Sequence, residues 1–116
     1  MKLLNAKELY DTFEYPESFQ KVVELNLIDY DLWYLMSNEQ VLTRIEGLKN
    51  RYPNRKLIPF ARRDDSDDIA CFEIGKADKV EIIHDFTGVG YEQRKEFETF
   101  WDWFKSAIDE MVEYNE

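Results

Sequence analysis

Residues 56–86, KLIPFARRDDSDDIACFEIGKADKVEIIHDF, read as three short strands joined by two turns. Leu57–Arg63 and Ile69–Ile74 are rich in strand-forming apolar residues. Between them, Asp64-Asp65-Ser66-Asp67-Asp68 has poor strand propensity and good turn propensity. After Gly75 a second turn, Lys76-Ala77-Asp78, leads into Val80–Phe86. Charge collects at the tips and apolar side chains fill the strands, the pattern of a sheet with one covered face. Ala70, Phe72 and Ile74 alternate with Ile69, Cys71 and Glu73, so one face of the middle strand is expected to be fully covered.

Upstream, residues 3–14 carry Leu3, Leu4, Leu9, Tyr10 and Phe13 at roughly helical spacing, with Asn5 as an N-cap and Glu8 three residues on. Pro16 suits the first turn of a second helix, Glu17–Asn26, whose apolar stripe is Phe19, Val22, Val23 and Leu27. Asp29–Met36 reads as a strand from its Trp, Tyr and Leu content. Ser37-Asn38-Glu39-Gln40 has the pattern of a capping box and opens a helix running to about Arg51, with Val41, Leu42, Ile45 and Leu48 on one side. Pro53 cannot continue it. Downstream, Thr87-Gly88-Val89-Gly90 is a loop, and the charges of Tyr91–Phe97 suit a helix. Thr99 and Asp102 form a second box before the last helix, whose predicted apolar face is Phe100, Trp101, Phe104, Ala107, Ile108, Met111 and Val112. Trp103 and Tyr114 fall about a quarter-turn from the centre of that stripe. A neighbouring element is expected to cover Trp103 and leave Tyr114 exposed.

At 116 residues the chain is the length of one domain, 1–116, long enough to bury a core without staples. Cys71 is the single cysteine, so no disulfide forms within the chain, which suits a reducing compartment. Met1–Lys7 has no apolar run of the signal-peptide kind, and no stretch approaches a membrane span. A cytoplasmic protein is the expectation. The net charge is −10, and residues 59–116 hold 16 acidic side chains against 7 basic. That balance argues against nucleic acid and an anionic membrane as partners and favours a basic protein.

The chemistry-bearing residues are few. His84 and Asp85 point to opposite faces of a strand and cannot form a direct dyad, so His84 reads as a packed, hydrogen-bonded histidine on the inner face with Val80, Ile82 and Phe86. The aspartate run is too short for a calcium loop and lacks its glycine and distal glutamate. Cys71 reads as a small buried side chain, and one Cys with one His does not make a zinc site. Gly88-Val89-Gly90 lacks the context of a nucleotide loop. No catalytic residue, cofactor or metal is expected.

Pro59-Phe60-Ala61, then Asp67-Asp68-Ile69-Ala70-Cys71-Phe72, then His84-Asp85-Phe86, then Phe100-Trp101-Asp102-Trp103-Phe104, resemble in order and spacing the SUKH superfamily, over about Tyr15 to Ile108. Tyr15-Pro16-Glu17-Ser18-Phe19 resembles the segment that opens its first helix, although the Asn-Gly that commonly closes that helix is here Asn26-Leu27. Where the charges suit a helix at Tyr91–Phe97, the resemblance implies an extended piece. Those domains include fungal cell-wall-assembly regulators and bacterial immunity proteins of toxin systems. The expected fold is α+β, a small, mostly antiparallel sheet with N-terminal helices and a long C-terminal helix packed on it. The resemblance implies a non-enzymatic protein that binds and neutralises a polymorphic-toxin domain. The alternatives are an intracellular adaptor of the same fold and an enzyme using His84 with a carboxylate. The residues expected to meet a basic partner are Asp64, Asp65, Asp67 and Asp68 at the hairpin tip, and Asp102, Asp109, Glu110, Glu113 and Tyr114 on the last helix.

Overall fold

The computed structural model describes residues 3, 6–10 and 12–116. Its elements are α1 (Ala6–Leu9), α2 (Glu17–Glu24), β1 (Trp33–Leu35), α3 (Asn38–Arg51), β2 (Leu57–Arg63), β3 (Asp68–Glu73), β4 (Val80–His84), β5 (Gln93–Phe97) and α4 (Phe100–Tyr114). The five strands form one antiparallel sheet in the order β1-β2-β3-β4-β5, each strand paired with its neighbour in sequence. The fold is α+β, with the C-terminal helix packed against the sheet.

The sheet is covered on both faces, which corrects the expectation of one. Ala70 and Phe72 of β3 enter the main core with Phe19, Phe60, Phe100 and Trp103, while Ile69 and Cys71 join Leu48, Tyr52, Leu57 and Ile83 in a second, smaller cluster. The C-terminal end of α3 supplies Leu48 and its C-cap is Tyr52, so the outward residues of β3 are apolar for a reason the strand alone does not reveal. The main core is aromatic. Phe60 stacks on Phe72 at 4.4 Å between ring centres, and Trp103 meets Phe60 edge-on at 4.9 Å.

Other boundaries differ from the sequence reading. The helix expected over residues 3–14 is the single turn α1, although Leu9 and Phe13 are buried as their spacing implies; the Asn5 cap lies outside the described residues. Pro16 sits before the first turn of α2 with ψ 144°, and α2 stops at Glu24 because Asn26 takes a left-handed φ of 59°. Leu27 is consequently exposed, as is Leu42 on α3. Asp29–Met36 is not one strand. Asp31 turns at φ 63° with its N–H donated to Asp29 Oδ1 (2.9 Å), and only Trp33–Leu35 pairs with β2. Tyr91–Phe97 is extended from Gln93 onward, against its helical charge pattern.

Helix starts follow their caps. The Ser37 hydroxyl accepts from the Gln40 N–H while the Gln40 side chain accepts from the Ser37 N–H, a complete box. At α4 only one arm forms: Thr99 Oγ1 accepts from the Asp102 N–H at 3.1 Å. Phe100, Trp103 and Ala107 are the buried residues of α4, with Phe104, Ile108 and Met111 packed beside them. The inner face is therefore centred near Ala107 and takes in Trp103, while Trp101 and Val112 are exposed.

Candidate functional site

His84 ends β4, and its register partner across the hairpin is Asp68, the first residue of β3. His84 Nδ1 lies 2.9 Å from Asp68 Oδ1, and the same oxygen accepts from Arg94 Nε at 3.0 Å. Arg94 reaches it because a bulge pairs Ile82 with Lys95 and Ile83 with Gln93, setting Arg94 out of register. About a third of the His84 side chain is open to solvent. It is hydrogen-bonded as expected but sits at the sheet's end, and Phe86, expected inside, is exposed in a left-handed turn with φ 64°.

Asp85 is not part of this cluster. Its carboxylate is fully buried and takes two hydrogen bonds of 2.7 Å from Arg51, one of 3.2 Å from Arg44 and one of 2.8 Å from the Phe86 N–H. Both guanidinium groups lie over the Phe86 ring, at 4.2 and 5.4 Å. The arrangement ties α3 to the end of β4. Arg55 bridges Glu73 and Glu92. Burial pushes both carboxyls up, but Arg55 and, for Glu92, backbone N–H groups outweigh it and hold them below the usual carboxylate range.

Beside the Asp68 cluster a groove of about 280 Å³ opens between α4 and the sheet. Trp33, Ile82, Phe97 and Trp103 give it apolar walls, and Ser106 brings a hydroxyl. Its charged lining is Arg63, Arg94 and Lys95 against Asp68 and Glu110. Arg63 Nη1 donates to Glu110 at 2.6 Å, and the Trp33 indole donates to the other oxygen of Glu110 at 3.4 Å. Among the described residues, the Trp103 indole N–H is the buried side-chain polar group without a hydrogen-bond partner.

The residues expected to bind a partner fall into two groups. At the hairpin tip Asp64 meets Arg62 at 3.1 Å and Asp65 takes two bonds from Arg63; Asp68 is engaged as above, and Asp67 meets no cation among the described residues. The hydrogen bond to Arg63 holds the Asp65 carboxyl below its ordinary value. The Asp64 carboxylate beside Tyr34, and then burial, push its phenol up to about 12. On α4, Asp102, Asp109 and Glu113 are exposed and meet no cation among the described residues, whereas Glu110 is turned toward the sheet. Tyr114 is 64% exposed. The structure thus separates an unpaired acidic stripe on α4 from a hairpin whose charge is mostly met internally.

Cys71 is buried, and burial pushes its thiol well above the ordinary value. Among the described residues no cluster of three or more His, Cys, Asp or Glu is disposed to hold a metal ion, and no helix is long and apolar enough to cross a membrane. Compared with protein families, curated proteins and solved structures, the chain matches none.

Sequence reasoning missed Arg94, Lys95 and the pairing of Asp68 with His84. Hairpin register holds the signal for that pair, because strands joined by a turn centred on Lys76 bring Asp68 opposite His84.

Proposed function

We propose that the chain is a non-catalytic binding protein of the SUKH type, an immunity protein that occludes a basic, nuclease-like toxin domain. The observation that carries this reading is the outer stripe of α4. Asp102, Asp109 and Glu113 stand exposed, with no cation partner among the described residues, on a chain of net charge −10. Unpaired like charges repel one another in the compact state, and a basic partner gives them a use. Trp101 and Val112, 43% and 50% exposed, lie on the neighbouring flank of the helix and offer apolar contact beside the acidic stripe. A nuclease needs a basic cleft for phosphate, and an acidic ligand both fills such a cleft and speeds its own approach. The hairpin tip contributes less, since three of its four aspartates are already engaged. The sequence resemblance supplies the class of partner and the charge supplies its sign.

The test is the association rate with the product of the neighbouring gene at rising salt. The proteins compared are wild type, a Asp102→Asn/Asp109→Asn/Glu113→Gln variant, and a variant with Asp64, Asp65, Asp67 and Asp68 neutralised. The rate should fall with salt, and the α4 variant should lose most of that dependence. A rate that ignores salt and is unchanged in both variants removes the acidic surface from the interface. No binding at all leaves the adaptor reading, in which the same fold serves a partner of the cell's own.

A further inference from the structure

The groove beside α4 has features that the acidic-stripe reading does not use. We propose that it is a binding site for a small carboxylate carried on a flat apolar group, an arylacetate being the simplest example. Three observations on different residues converge there. The first is the Trp103 N–H. Trp103 is 1% exposed, forms a wall of the groove, and has the one unpartnered buried side-chain donor among the described residues. A buried donor without an acceptor is costly in a folded chain, and an acceptor brought by a ligand removes that cost. The second is charge. In a chain of net −10 the groove is lined by three cations and two carboxylates. Arg63 and Arg94 are met by Glu110 and Asp68, but Lys95 has the face of Phe97, 4.7 Å away, and among the described residues no carboxylate in ion-pair range. It is the lining cation left to pair with an anion. The third is shape. The space, about 280 Å³, lies just under the roughly 300 Å³ at which small-molecule pockets begin, and its walls are two indoles, a phenyl ring and an isoleucine. It suits one ring and a short acidic arm.

This site is independent of the partner proposed for the outer face of α4. The probe is sodium phenylacetate, titrated into the isotopically labelled chain while the three indole N–H resonances are followed. Trp101, half-exposed and not part of the groove lining, acts as the internal control. The expected result is a saturable downfield movement of the Trp103 resonance while Trp101 stays in place. Neutral phenylacetamide should move it far less, and Lys95→Glu, on an exposed position of β5, should weaken binding by at least ~10-fold with the melting temperature retained. Trp103→Phe, if it folds, should lose binding by a similar factor. The proposal is overturned if Trp103 does not move, if it moves equally with the amide or with sodium chloride at matched ionic strength, or if Lys95→Glu binds like wild type. Movement seen only with a peptide ending in phenylalanine, and not with phenylacetate, also overturns it in favour of a protein terminus as the occupant.

Discussion

Gly47 and Arg51 are one turn apart on α3, and the glycine makes room for the arginine. A methyl group at Gly47 would lie 2.6 Å from the Arg51 guanidinium, which is clamped on Asp85 and therefore not free to move aside. Alanine in a helix interior is worth ~1 kcal/mol over glycine. Gly47→Ala should fail to deliver that gain in the wild type and should deliver it in an Arg51→Ala background; equal effects in both backgrounds, measured by urea denaturation, would separate the two residues. A second test concerns Glu81, fully buried on β4 between Lys76 (3.3 Å) and Gln93 (2.7 Å). Burial pushes its carboxyl up, and the neighbouring Glu96 carboxyl adds to the rise. An acid whose folded pKa lies above the unfolded value of about 4.3 holds its proton longer in the folded chain, so stability is lost as pH rises through that window. Glu81→Gln removes the penalty while its carbonyl still accepts from Gln93, and Lys76 keeps Glu73 and Glu96. The variant should match or fall below wild type at about pH 4 and exceed it at neutral pH. Glu73 and Glu92 run the other way: held low by Arg55, they support the fold above the unfolded value and lose that support as pH falls.

Elements announced by local chemistry were legible in the sequence, and elements set by contacts distant in sequence were not. The Ser37 box, β2 from Leu57 to Arg63 and the start of α4 at Phe100 follow from residues within four positions of each boundary. Thr99→Ala should accordingly cost about 1 kcal/mol, read as a lower urea midpoint with an unchanged slope, since one cap hydrogen bond is lost and no core contact. The inner face of α4 was misjudged because its apolar residues cover more than one face. The choice falls to Trp103 through Tyr30 and Trp33, whose rings stand 6.1 and 5.6 Å from it. Those two residues reach α4 only because the chain turns at Asp31, which a composition reading of Asp29–Met36 as one strand conceals. The groove escaped for a similar reason. Centring the β3–β4 turn on Ala77 would pair His84 with Ala70; the turn is centred on Lys76, and Asp68 becomes the partner. A shift of one residue in a turn thus decides which carboxylate meets the histidine.

Charge is where the whole molecule departs from a merely acidic one. Its carboxylates divide into those that hold the sheet together and those that contribute repulsion. Asp68, Asp85, Glu73, Glu92 and Glu110 tie strands, α3 and α4 to one another through arginines. Among the described residues, the side chains of Asp102, Asp109 and Glu113 meet no cation. The consequence is opposite signs for two sets of neutral substitutions. Asp102→Asn/Asp109→Asn/Glu113→Gln should leave stability unchanged or raise it slightly at low salt, because like-charge repulsion is relieved. The gain should vanish as salt shortens the screening length to about 10 Å near 0.1 M. Asp64→Asn/Asp65→Asn/Asp68→Asn should lower stability, because the Arg62, Arg63 and Arg94 partners are lost. Each exposed pair carries at most ~1 kcal/mol, so the loss should be modest, with most of it at half-buried Asp68. Melting curves at two salt concentrations decide the matter. If the α4 triple variant is the destabilised one, its acids are structural and the case for a docking surface there fails. If the hairpin variant is destabilised and the α4 variant is not, the stripe can be changed without disturbing the fold, and any loss of partner binding it shows belongs to the interface.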